Sequence, residues 1–357
     1  MGDSAAGSGA VRDRAAASDR AAASDSAAGS GGGGDLVGGY DLVVFDLDGV
    51  LYLADQVIPG AAEACARLRE RGIPSAYATN NASRLPGDVA ALLTRIGIPA
   101  DPREVVTSAH ATALLMAERF PAGTPVLVLG APALREEVVA VGLTPVSEAE
   151  RARVVVQGYG PDVRMRDLAD AAVAIRGGAA WIATNADKTL PSPRGPVPGN
   201  GSLVVALTTA LGRPPDTIVG KPDPGLFLEA ARERNGQRPL VVGDRLDTDI
   251  EGAFRAGMDS MLVLTGVSDA AEVLAAPVER RPTFVAEDLG GLFARPLSRP
   301  GEWRVTELDG RWELSGGGRR VDALSALCAV AWAADEPRPI VGDGEAAQAA
   351  LKWLRLA

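Results

Sequence analysis

Two aspartates, Asp46 and Asp48, follow the apolar run LVVF and are themselves followed by glycine. Two carboxylates held this close disfavour each other's charged form unless a cation lies between them or one of them keeps a proton. The pair is therefore suited to binding a cation or to acid–base chemistry. Asp-Gly is also common in tight turns, so a turn or a helix cap explains this segment equally well when it is considered alone.

Three later segments also place polar side chains at the ends of apolar runs. They are Thr79-Asn80-Asn81, Gly220-Lys221-Pro222-Asp223-Pro224 and Gly243-Asp244-Arg245-Leu246-Asp247-Thr248-Asp249. Each has a structural explanation of its own: a turn, a solvated surface lysine, or an aspartate that caps a helix. In a parallel α/β sheet, however, the C-terminal ends of the strands open onto one edge, where ligands bind. Taken together, the four segments predict a single polar site at that edge.

The charged residues of this predicted site suit the transfer of a phosphoryl group to a carboxylate. A hard cation such as Mg²⁺ prefers oxygen ligands, so it suits Asp46, Asp48 and Asp244 and lets them remain ionised together. The same ion would bind a phosphate oxygen. Lys221 would neutralise phosphoryl charge and screen the nucleophile.

Neutral polar groups are predicted to orient the phosphoryl oxygens. Thr79 offers a hydroxyl group, and amide groups surround Asn80 and Asn81. Such donors hold equatorial phosphoryl oxygens without changing the net charge of the site. We therefore predict that Thr79, Asn80, Asn81 and Lys221 contact the substrate.

Composition argues against several other classes of protein. The chain of 357 residues carries a net charge of −10, whereas general nucleic-acid binding needs a basic face. His110 is the only histidine. Because Ser/His/Asp and Cys/His nucleophilic systems need an imidazole base, the composition argues against both. We interpret His110 as an ordinary residue of a helix over VVTSAHATALLMAERF, with a catalytic role as the alternative. Cys65 and Cys328 are far apart and have no metal-binding spacing, which favours a reducing cytoplasm.

From Asp41 onward, short apolar runs alternate with amphipathic helical segments. The predicted strands lie at 41–46, 73–79, 126–130, 153–159, 179–185, 239–244 and 259–264. Continuous apolar strands separated by helices are typical of parallel sheets covered on both faces. The predicted fold class is therefore α/β, with two sheets.

The two ends of the chain differ from its middle. Residues 1–37 are rich in Ala, Ser and Gly and are predicted to form a disordered tail. They lack the apolar core of a secretion signal, and no run in the chain approaches the roughly 20 apolar residues of a membrane span, so no membrane contact is expected. Residues 295–357 predict a small α+β module, with a hairpin around an Asp-Gly turn and two helices. We expect Trp303, Trp312, Trp332 and Trp353 to form its core, with docking or oligomerisation as the alternative.

The segments DLDGVL, TNN, GKPDP and GDRLDTDI, in this order, resemble the four motifs of haloacid dehalogenase superfamily phosphatases, in particular the NagD-type or 4-nitrophenylphosphatase group. The resemblance covers about residues 38–290. It implies that Asp46 is the nucleophile, which forms an aspartyl-phosphate, and that Asp48 protonates the leaving alcohol and then activates water. It also implies that Mg²⁺ is held by the Asp46 carboxylate, the Asp48 main-chain carbonyl and Asp244, with Asp249 orienting these ligands.

About 140 residues separate TNN from GKPDP, which is too long for one connection and predicts an inserted domain. The resemblance implies a Rossmann-like, doubly wound core at 38–120 and 216–294, interrupted by a large α/β cap at 121–215. A loop rich in proline and glycine in this cap would face the catalytic aspartates. Its candidate specificity residues are Lys188, Thr189, Leu190 and Arg194, although each could equally be an ordinary surface residue.

The appended module makes the chain similar to actinobacterial glycerol 3-phosphate phosphatases, in which the tail resembles part of an acetyltransferase fold. This similarity implies a Mg²⁺-dependent phosphomonoesterase acting on a small phosphorylated metabolite, with glycerol 3-phosphate as the expected substrate. Sugar phosphates, nucleotides, phosphoglycolate and pyridoxal phosphate stay open as substrates. So do transfer of the phosphoryl group to an alcohol, a non-catalytic role in binding phosphorylated metabolites, and assembly into a homo-oligomer.

Overall fold

The computed structural model describes residues 34–53, 56–190, 195–295 and 302–357. The strands are β1 (Leu42–Phe45), β2 (Tyr52–Leu53), β3 (Gln56–Val57), β4 (Ser75–Thr79), β5 (Val105–Thr107), β6 (Pro125–Leu129), β7 (Thr144–Val146), β8 (Val154–Gln157), β9 (Ala180–Ala183), β10 (Thr189–Leu190), β11 (Val197–Pro198), β12 (Thr217–Ile218), β13 (Pro239–Gly243), β14 (Asp259–Val263), β15 (Phe284–Ala286), β16 (Arg304–Leu308), β17 (Arg311–Ser315) and β18 (Ile340–Gly342). The α-helices are α1 (Ala61–Glu70), α2 (Pro86–Arg95), α3 (Ser108–Arg119), α4 (Pro132–Ala140), α5 (Met165–Arg176), α6 (Asn200–Leu211), α7 (Gly225–Arg234), α8 (Glu251–Ala256), α9 (Ala270–Leu274), α10 (Arg320–Ala331) and α11 (Glu345–Trp353). Within these ranges, no helix combines the length and the apolar character that crossing a bilayer would need.

The larger part of the fold is a six-stranded parallel sheet in the order β15-β14-β13-β1-β4-β5. Val43 and Phe45 of the central strand β1 pack into one hydrophobic cluster, and Leu42 and Val44 pack into another. Because side chains of a strand alternate between its faces, both faces of this sheet are covered. The predicted α/β class with a doubly wound parallel sheet is confirmed.

The register of the central strands aligns their C-terminal ends. Phe45 of β1 pairs with Tyr77 of β4 on one side and with Val242 of β13 on the other. Asp46 and Asp244, which follow β1 and β13, therefore emerge at the same edge. The chain order also reverses between β1 and β13, and such a switch point is where open α/β sheets bind ligands.

The segment around His110 differs from the single helix predicted for it. Val105–Thr107 is an edge strand that pairs in parallel with β4, and only Ser108–Arg119 is helical. Two valines and a threonine favour an extended strand because they are β-branched. The Thr107 side chain then accepts a hydrogen bond from His110 N at 3.1 Å and so caps the helix.

A second parallel sheet lies in the long insertion between the two halves of the first sheet. Its order is β12-β9-β8-β6-β7, and a short hairpin of β10 and β11 lies beside it. The predicted cap at 121–215 ends just before β12, which pairs with β9 and so belongs to the same sheet. The insertion thus contributes its own α/β layer above the edge where Asp46 lies.

The two sheets meet through helices α3, α4 and α7, whose apolar residues share one cluster with both sheets. His110 of α3 lies in this interface. Its Nδ1 is 2.9 Å from Glu137 Oε2 on α4, and its Nε2 is 3.7 Å from Glu233 Oε1 on α7. The hydrogen bond to Glu137 raises the pKa of His110, burial lowers it, and Glu137 and Glu233 raise it further, so that it lies above 6.5. His110 therefore acts as a charged link between helices.

Replacing His110 by glutamine is expected to remove a pH-dependent part of the stability. Because the folded-state pKa of His110 is raised, its contribution is fully present below pH 6.5 and is lost as the pH rises through the raised pKa. We expect the wild type to exceed His110→Gln in unfolding free energy by about 1 kcal/mol more at pH 6 than at pH 9. Urea denaturation at both pH values measures this difference. The titration of all other groups cancels, because the wild type and the variant share them. An equal difference at both would contradict the ion pair.

The C-terminal module forms a three-stranded sheet in the order β16-β17-β18, with α10 and α11. The predicted hairpin is present, and both Asp309 and Gly310 in its turn have positive φ angles, as a tight two-residue hairpin needs. The strand β18 was not predicted. Trp303 and Trp312 are buried, whereas Trp332 and Trp353 are half-buried. Apolar residues of the module share one cluster with α9 and β14, so the module packs on the core.

The described part of the N-terminus packs against the core sheet. Leu36–Gly39 forms a short 3₁₀ helix, in which Leu36 and Val37 are buried. Leu36 N donates to Ala294 O at 2.9 Å. The predicted tail boundary at residue 37 therefore falls inside an ordered helix, because these two apolar residues join the core. Residues 1–33 of the predicted tail lie outside the described residues.

Candidate active site

Asp46 lies directly after β1, at the edge where the central strands end. Its main-chain N donates to Val242 O at 2.8 Å, which fixes the residue beside β13. The residue keeps 8% of its surface exposed, so a small ligand can reach its carboxylate. Its Oδ1 accepts a hydrogen bond from Lys221 Nζ. The predicted nucleophile and the predicted lysine are therefore in direct contact.

Lys221 is buried and holds several parts of the site together. Its Nζ donates to Asp249 Oδ1 at 2.7 Å and to Ala78 O at 3.2 Å, in addition to its contact with Asp46. Burial lowers the pKa of Lys221, but Asp249 and Asp46 raise it, and the net direction is upward. The lysine therefore stays protonated and supplies a fixed positive charge next to the Asp46 carboxylate.

Three carboxylates gather around this lysine. Asp46, Asp244 and Asp249 each offer an oxygen, and these oxygens lie within 4.8 Å of one another. Burial raises the pKa of Asp46 well above its ordinary value; Lys221 lowers it, and Asp249 and Asp244 raise it. Burial and Asp249 raise the pKa of Asp244 to about 7. One lysine cannot balance three carboxylates, so the cluster favours a divalent cation.

Asp244 has the features of a cation ligand. Its Oδ2 accepts a hydrogen bond from Val267 N at 2.7 Å. Its Oδ1 is buried and has no hydrogen-bond partner among the described residues. A Cβ atom at Gly49 or Gly266 would collide with the carboxylate, so both glycines make room for it. The donor set and the orphaned oxygen fit a hard cation such as Mg²⁺.

Asp48 lies in the loop that connects β1 to the β2–β3 hairpin. Gly49 N donates to Tyr52 O at 2.8 Å, and the φ angle of Gly49 is +85°, which favours glycine. The side chain of Asp48 is exposed, as that of an acid that exchanges protons with substrate and water must be. Its roles as acid and as main-chain metal ligand stay predictions.

The side chain of Asn80 forms hydrogen bonds within the protein, whereas we predicted that it contacts the substrate. Its Oδ1 accepts from Lys221 N at 2.8 Å, and its Nδ2 donates to Lys221 O and to Asp187 Oδ1, each at 3.1 Å. Both amide hydrogens and the carbonyl oxygen are therefore engaged. The side chain positions the main chain of Lys221. Asn80 O accepts from Ser108 Oγ and Asn185 Nδ2, which leaves the main-chain N of Asn80 for the substrate.

Thr79 and Asn81 form a compact turn after β4. Asn81 N donates to Thr79 Oγ1 at 3.1 Å, while Asn81 Oδ1 accepts from Ser83 N at 2.8 Å and from Ser83 Oγ at 2.7 Å. These bonds hold both residues at the strand end beside Asn80. Their contacts with phosphoryl oxygens stay predictions.

A loop of the insertion reaches down to this edge. Asn185 Nδ2 donates to Asn80 O at 2.7 Å, and Asp187 accepts from the Asn80 side chain. Of the specificity residues predicted here, Lys188 and Thr189 are exposed, Leu190 is half-buried, and Arg194 lies outside the described residues. The sequence reasoning missed Asn185 and Asp187, although their polar spacing after the apolar strand β9 was a usable signal.

Two family models match this chain, one before and one after most of the inserted domain. A model described as haloacid dehalogenase-like hydrolase matches residues 43–144, and one described as HAD-hydrolase-like matches residues 218–292. The D-glycerol 3-phosphate phosphatase of Mycobacterium tuberculosis is 42% identical over 337 residues, which cover 87% of this chain and 93% of the relative. The chain belongs to the haloacid dehalogenase-like hydrolase family. The predicted resemblance is thus confirmed.

Solved structures support this family assignment. The crystal structure of the glycerol phosphate phosphatase from Mycobacterium tuberculosis in complex with magnesium has a TM-score of 0.86 and 40% identity, covering 91% of this chain and 100% of that one. The 4-nitrophenylphosphatase from Thermotoga maritima has a TM-score of 0.65 and 35% identity, covering 71% of this chain and 95% of that one. Residues 300–356 match a GCN5-related N-acetyltransferase like domain.

Proposed function

We propose that this haloacid dehalogenase-like hydrolase is a Mg²⁺-dependent phosphomonoesterase that hydrolyses glycerol 3-phosphate through an aspartyl-phosphate. The observation that carries the proposal is the contact of Lys221 Nζ with Asp46, inside a cluster of three carboxylates. Such an arrangement keeps a nucleophilic carboxylate beside a fixed positive charge and a cation site. The name of the mycobacterial relative supports glycerol 3-phosphate as the substrate.

The orphaned Asp244 Oδ1 and the clustered carboxylates support Mg²⁺ as the cation. Asp46 and Asp244 would hold it through their side chains, Asp48 through its main-chain carbonyl, and Asp249 would orient these ligands. When bound, Mg²⁺ supplies positive charge that keeps the acids ionised and draws electrons from a phosphoryl oxygen. The magnesium complex of the mycobacterial structure supports the same ion here.

In the first step, a carboxylate oxygen of Asp46 attacks phosphorus, and the bond between phosphorus and the glycerol oxygen breaks. Asp48 in its protonated form gives its proton to that oxygen, so glycerol leaves as a neutral alcohol. Lys221 Nζ, next to Asp46, neutralises charge on the phosphoryl group during this transfer. Thr79, Asn81 and the main chain of Asn80 orient the equatorial oxygens.

In the second step, Asp48 takes a proton from water, and the water oxygen attacks the phosphorus of the aspartyl-phosphate. The bond between phosphorus and the Asp46 oxygen breaks, which releases inorganic phosphate and restores the free carboxylate. Asp48 ends the cycle protonated, as it began. Its exposed side chain supports both transfers, because the same group must reach the alcohol first and water afterwards.

A screen of phosphomonoesters tests the proposal. We expect hydrolysis of glycerol 3-phosphate to be at least about tenfold more efficient, as kcat/KM, than that of sugar phosphates, nucleotides, phosphoglycolate or pyridoxal phosphate. Phosphate release with Mg²⁺ and with EDTA measures both selectivity and metal dependence. Preference for nucleotides or pyridoxal phosphate would overturn the substrate. Tight binding without turnover of any ester would instead favour a non-catalytic binding protein.

We further propose that the enzyme acts in the cytoplasm. Cys65 and Cys328 are both buried free thiols, and a reducing compartment preserves such thiols. Assembly into a homo-oligomer and the lack of nucleic-acid or membrane partners stay predictions from the sequence. Phosphate release in the presence of a large excess of glucose or ethanol would separate hydrolysis from transfer to an alcohol.

A further inference from the structure

A short segment between β14 and α9, residues 265–268, holds Asp244 in place. Val267 N donates to Asp244 Oδ2 at 2.7 Å, and Ser268 N donates to the main-chain O of Asp244 at 3.0 Å. Ser268 Oγ also accepts from Leu246 N at 3.1 Å, two residues after this aspartate. Because Oδ2 is held by Val267 N, the position of the segment also sets the direction of the orphaned Oδ1.

Helix α9 follows this segment almost directly. Asp269, the residue between them, caps the helix, because its Oδ1 accepts from Glu272 N at 3.0 Å. The helix has only five residues, far below the roughly 12 at which an isolated helix becomes stable in water, so tertiary packing must hold it. Any shift of α9 would move Ser268, since only Asp269 separates them.

The C-terminal module contributes to that packing. Ala270 and Val273 of α9 are buried in one hydrophobic cluster with Leu324 and Leu327 of α10, and the two helices contact each other. Trp332, which follows α10, donates from Nε1 to Val273 O at 3.0 Å and so satisfies a carbonyl of the last turn of α9. The module therefore holds α9 through an apolar face and through one directed hydrogen bond.

Arg281 of the core strengthens the same contact. Its Nε donates to Ala276 O at 3.1 Å, shortly after the end of α9. Its Cζ lies 5.3 Å from the ring centroid of Trp332, which is a favourable cation–π distance. The C-terminal end of α9 is thus restrained by two hydrogen bonds whose donors also contact each other.

We propose that the C-terminal module positions Asp244 for Mg²⁺ binding and that Trp332 is the positioning residue through which it does so. The inference rests on the proposed function, because it takes Asp244 as a ligand of the ion. It gives residues 295–357 a role that needs no reactive group. Without the Trp332 hydrogen bond, α9 would sample more positions, and the N–H groups of Val267 and Ser268 would hold the aspartate less precisely.

Trp332→Phe tests this role, because it removes the indole N–H and keeps an aromatic ring beside Arg281. We expect the dissociation constant of Mg²⁺, measured by calorimetry on the full chain without substrate, to rise about threefold, because part of the free energy of one hydrogen bond is transmitted to the site. At saturating Mg²⁺, kcat and KM for glycerol 3-phosphate should stay within about twofold of the wild type. A merely structural role would lower the stability in EDTA and leave the dissociation constant unchanged.

Trp353→Phe is the matched control. It is the same substitution in the same module, but the Trp353 ring lies against Arg320 of α10, whose Cζ is 5.0 Å from the ring centroid. The control should leave the dissociation constant of Mg²⁺ unchanged. Arg281→Met gives a second measurement should Trp332→Phe fail to fold, because it removes the hydrogen bond to Ala276 O and should weaken Mg²⁺ binding in the same direction.

The outcomes separate this inference from the proposed function. An unchanged dissociation constant in folded Trp332→Phe, or in Arg281→Met if the first variant does not fold, would overturn the positioning role alone. An equal rise in Trp353→Phe would also overturn it, since the effect would then reflect general loosening of the module. A wild type that does not bind Mg²⁺ would overturn the proposed function, and the positioning role with it.

Discussion

Asp46→Asn is expected to lower kcat for glycerol 3-phosphate by at least about 10⁴-fold. The neutral amide of asparagine is a poor nucleophile and cannot form the aspartyl-phosphate. Asp249, the other carboxylate that contacts Lys221 Nζ, is fully buried and so cannot replace it. Phosphate release under saturating substrate and Mg²⁺ measures the loss. Mass spectrometry of acid-quenched enzyme should detect a phosphorylated residue 46 in the wild type only.

The variant is expected to remain folded, so the loss of activity would report chemistry. Lys221 Nζ keeps its bond to Asp249 Oδ1 at 2.7 Å, and the cluster loses one of three mutually repelling carboxylates. Asp41→Asn is a matched control, since Asp41 lies before the same strand and its carboxylate accepts hydrogen bonds from Gln237 N and Arg238 N. It should keep kcat within about twofold. Turnover by Asp46→Asn at the wild-type rate would rule out the nucleophile.

The central strands of both sheets were predictable because each is a run of apolar, often β-branched residues. β1, β8 and β13 are buried almost throughout, as such runs require in a sheet covered on both faces. The edge strands β5, β7 and β15 were missed. They contain three residues each, which is too few to show a period, and each pairs with a longer neighbour.

The acid positions of the site were predictable from a general property of parallel sheets. Asp46 and Asp244 follow neighbouring strands of the core sheet, and topology alone brings such positions to one edge. Lys221 follows β12 of the second sheet, so its contact with Asp46 also depends on how the two sheets pack. Asp187 was not predictable in this way. It is 107 residues from Asn80 along the chain, and its approach depends on how the inserted domain packs on the core. Sequence periodicity contains no information about that orientation.

Asn80 illustrates the difference between identifying a position and identifying its role. The sequence indicated a polar residue at a strand end, and a phosphate contact was the chemically simple interpretation. In the structure its side chain is occupied by Lys221 and Asp187. It therefore connects the main chain of Lys221 in the core with Asp187 of the inserted domain through one hydrogen-bonded unit.

Asp244→Asn is expected to abolish most of the stabilisation that Mg²⁺ gives the enzyme. In the wild type, Mg²⁺ at about 100 times its dissociation constant should raise the unfolding free energy by about 2.7 kcal/mol. Loss of a charged oxygen ligand should weaken Mg²⁺ binding at least about a hundredfold, so the same concentration would stabilise the variant by less than about 0.5 kcal/mol. Thermal or urea unfolding with Mg²⁺ and with EDTA measures both values. Activity should fall in parallel, because the acids then lack their counter-charge.

Without Mg²⁺, the order of stability of the wild type and Asp244→Asn should be reversed. This reversal distinguishes loss of a metal ligand from general destabilisation of the fold. Burial and Asp249 raise the pKa of Asp244 from 3.8 to about 7, so the charged carboxylate is disfavoured in the folded state by roughly 4 kcal/mol. The stability linked to its proton is present below pH 3.8 and is lost as the pH rises to 7. In EDTA at about pH 8, Asp244→Asn should therefore be at least as stable as the wild type.

Asp247→Asn, which alters an exposed acid paired with Arg245, should keep the full response to Mg²⁺. An equal Mg²⁺ response in wild type and Asp244→Asn would mean that this carboxylate does not hold the ion.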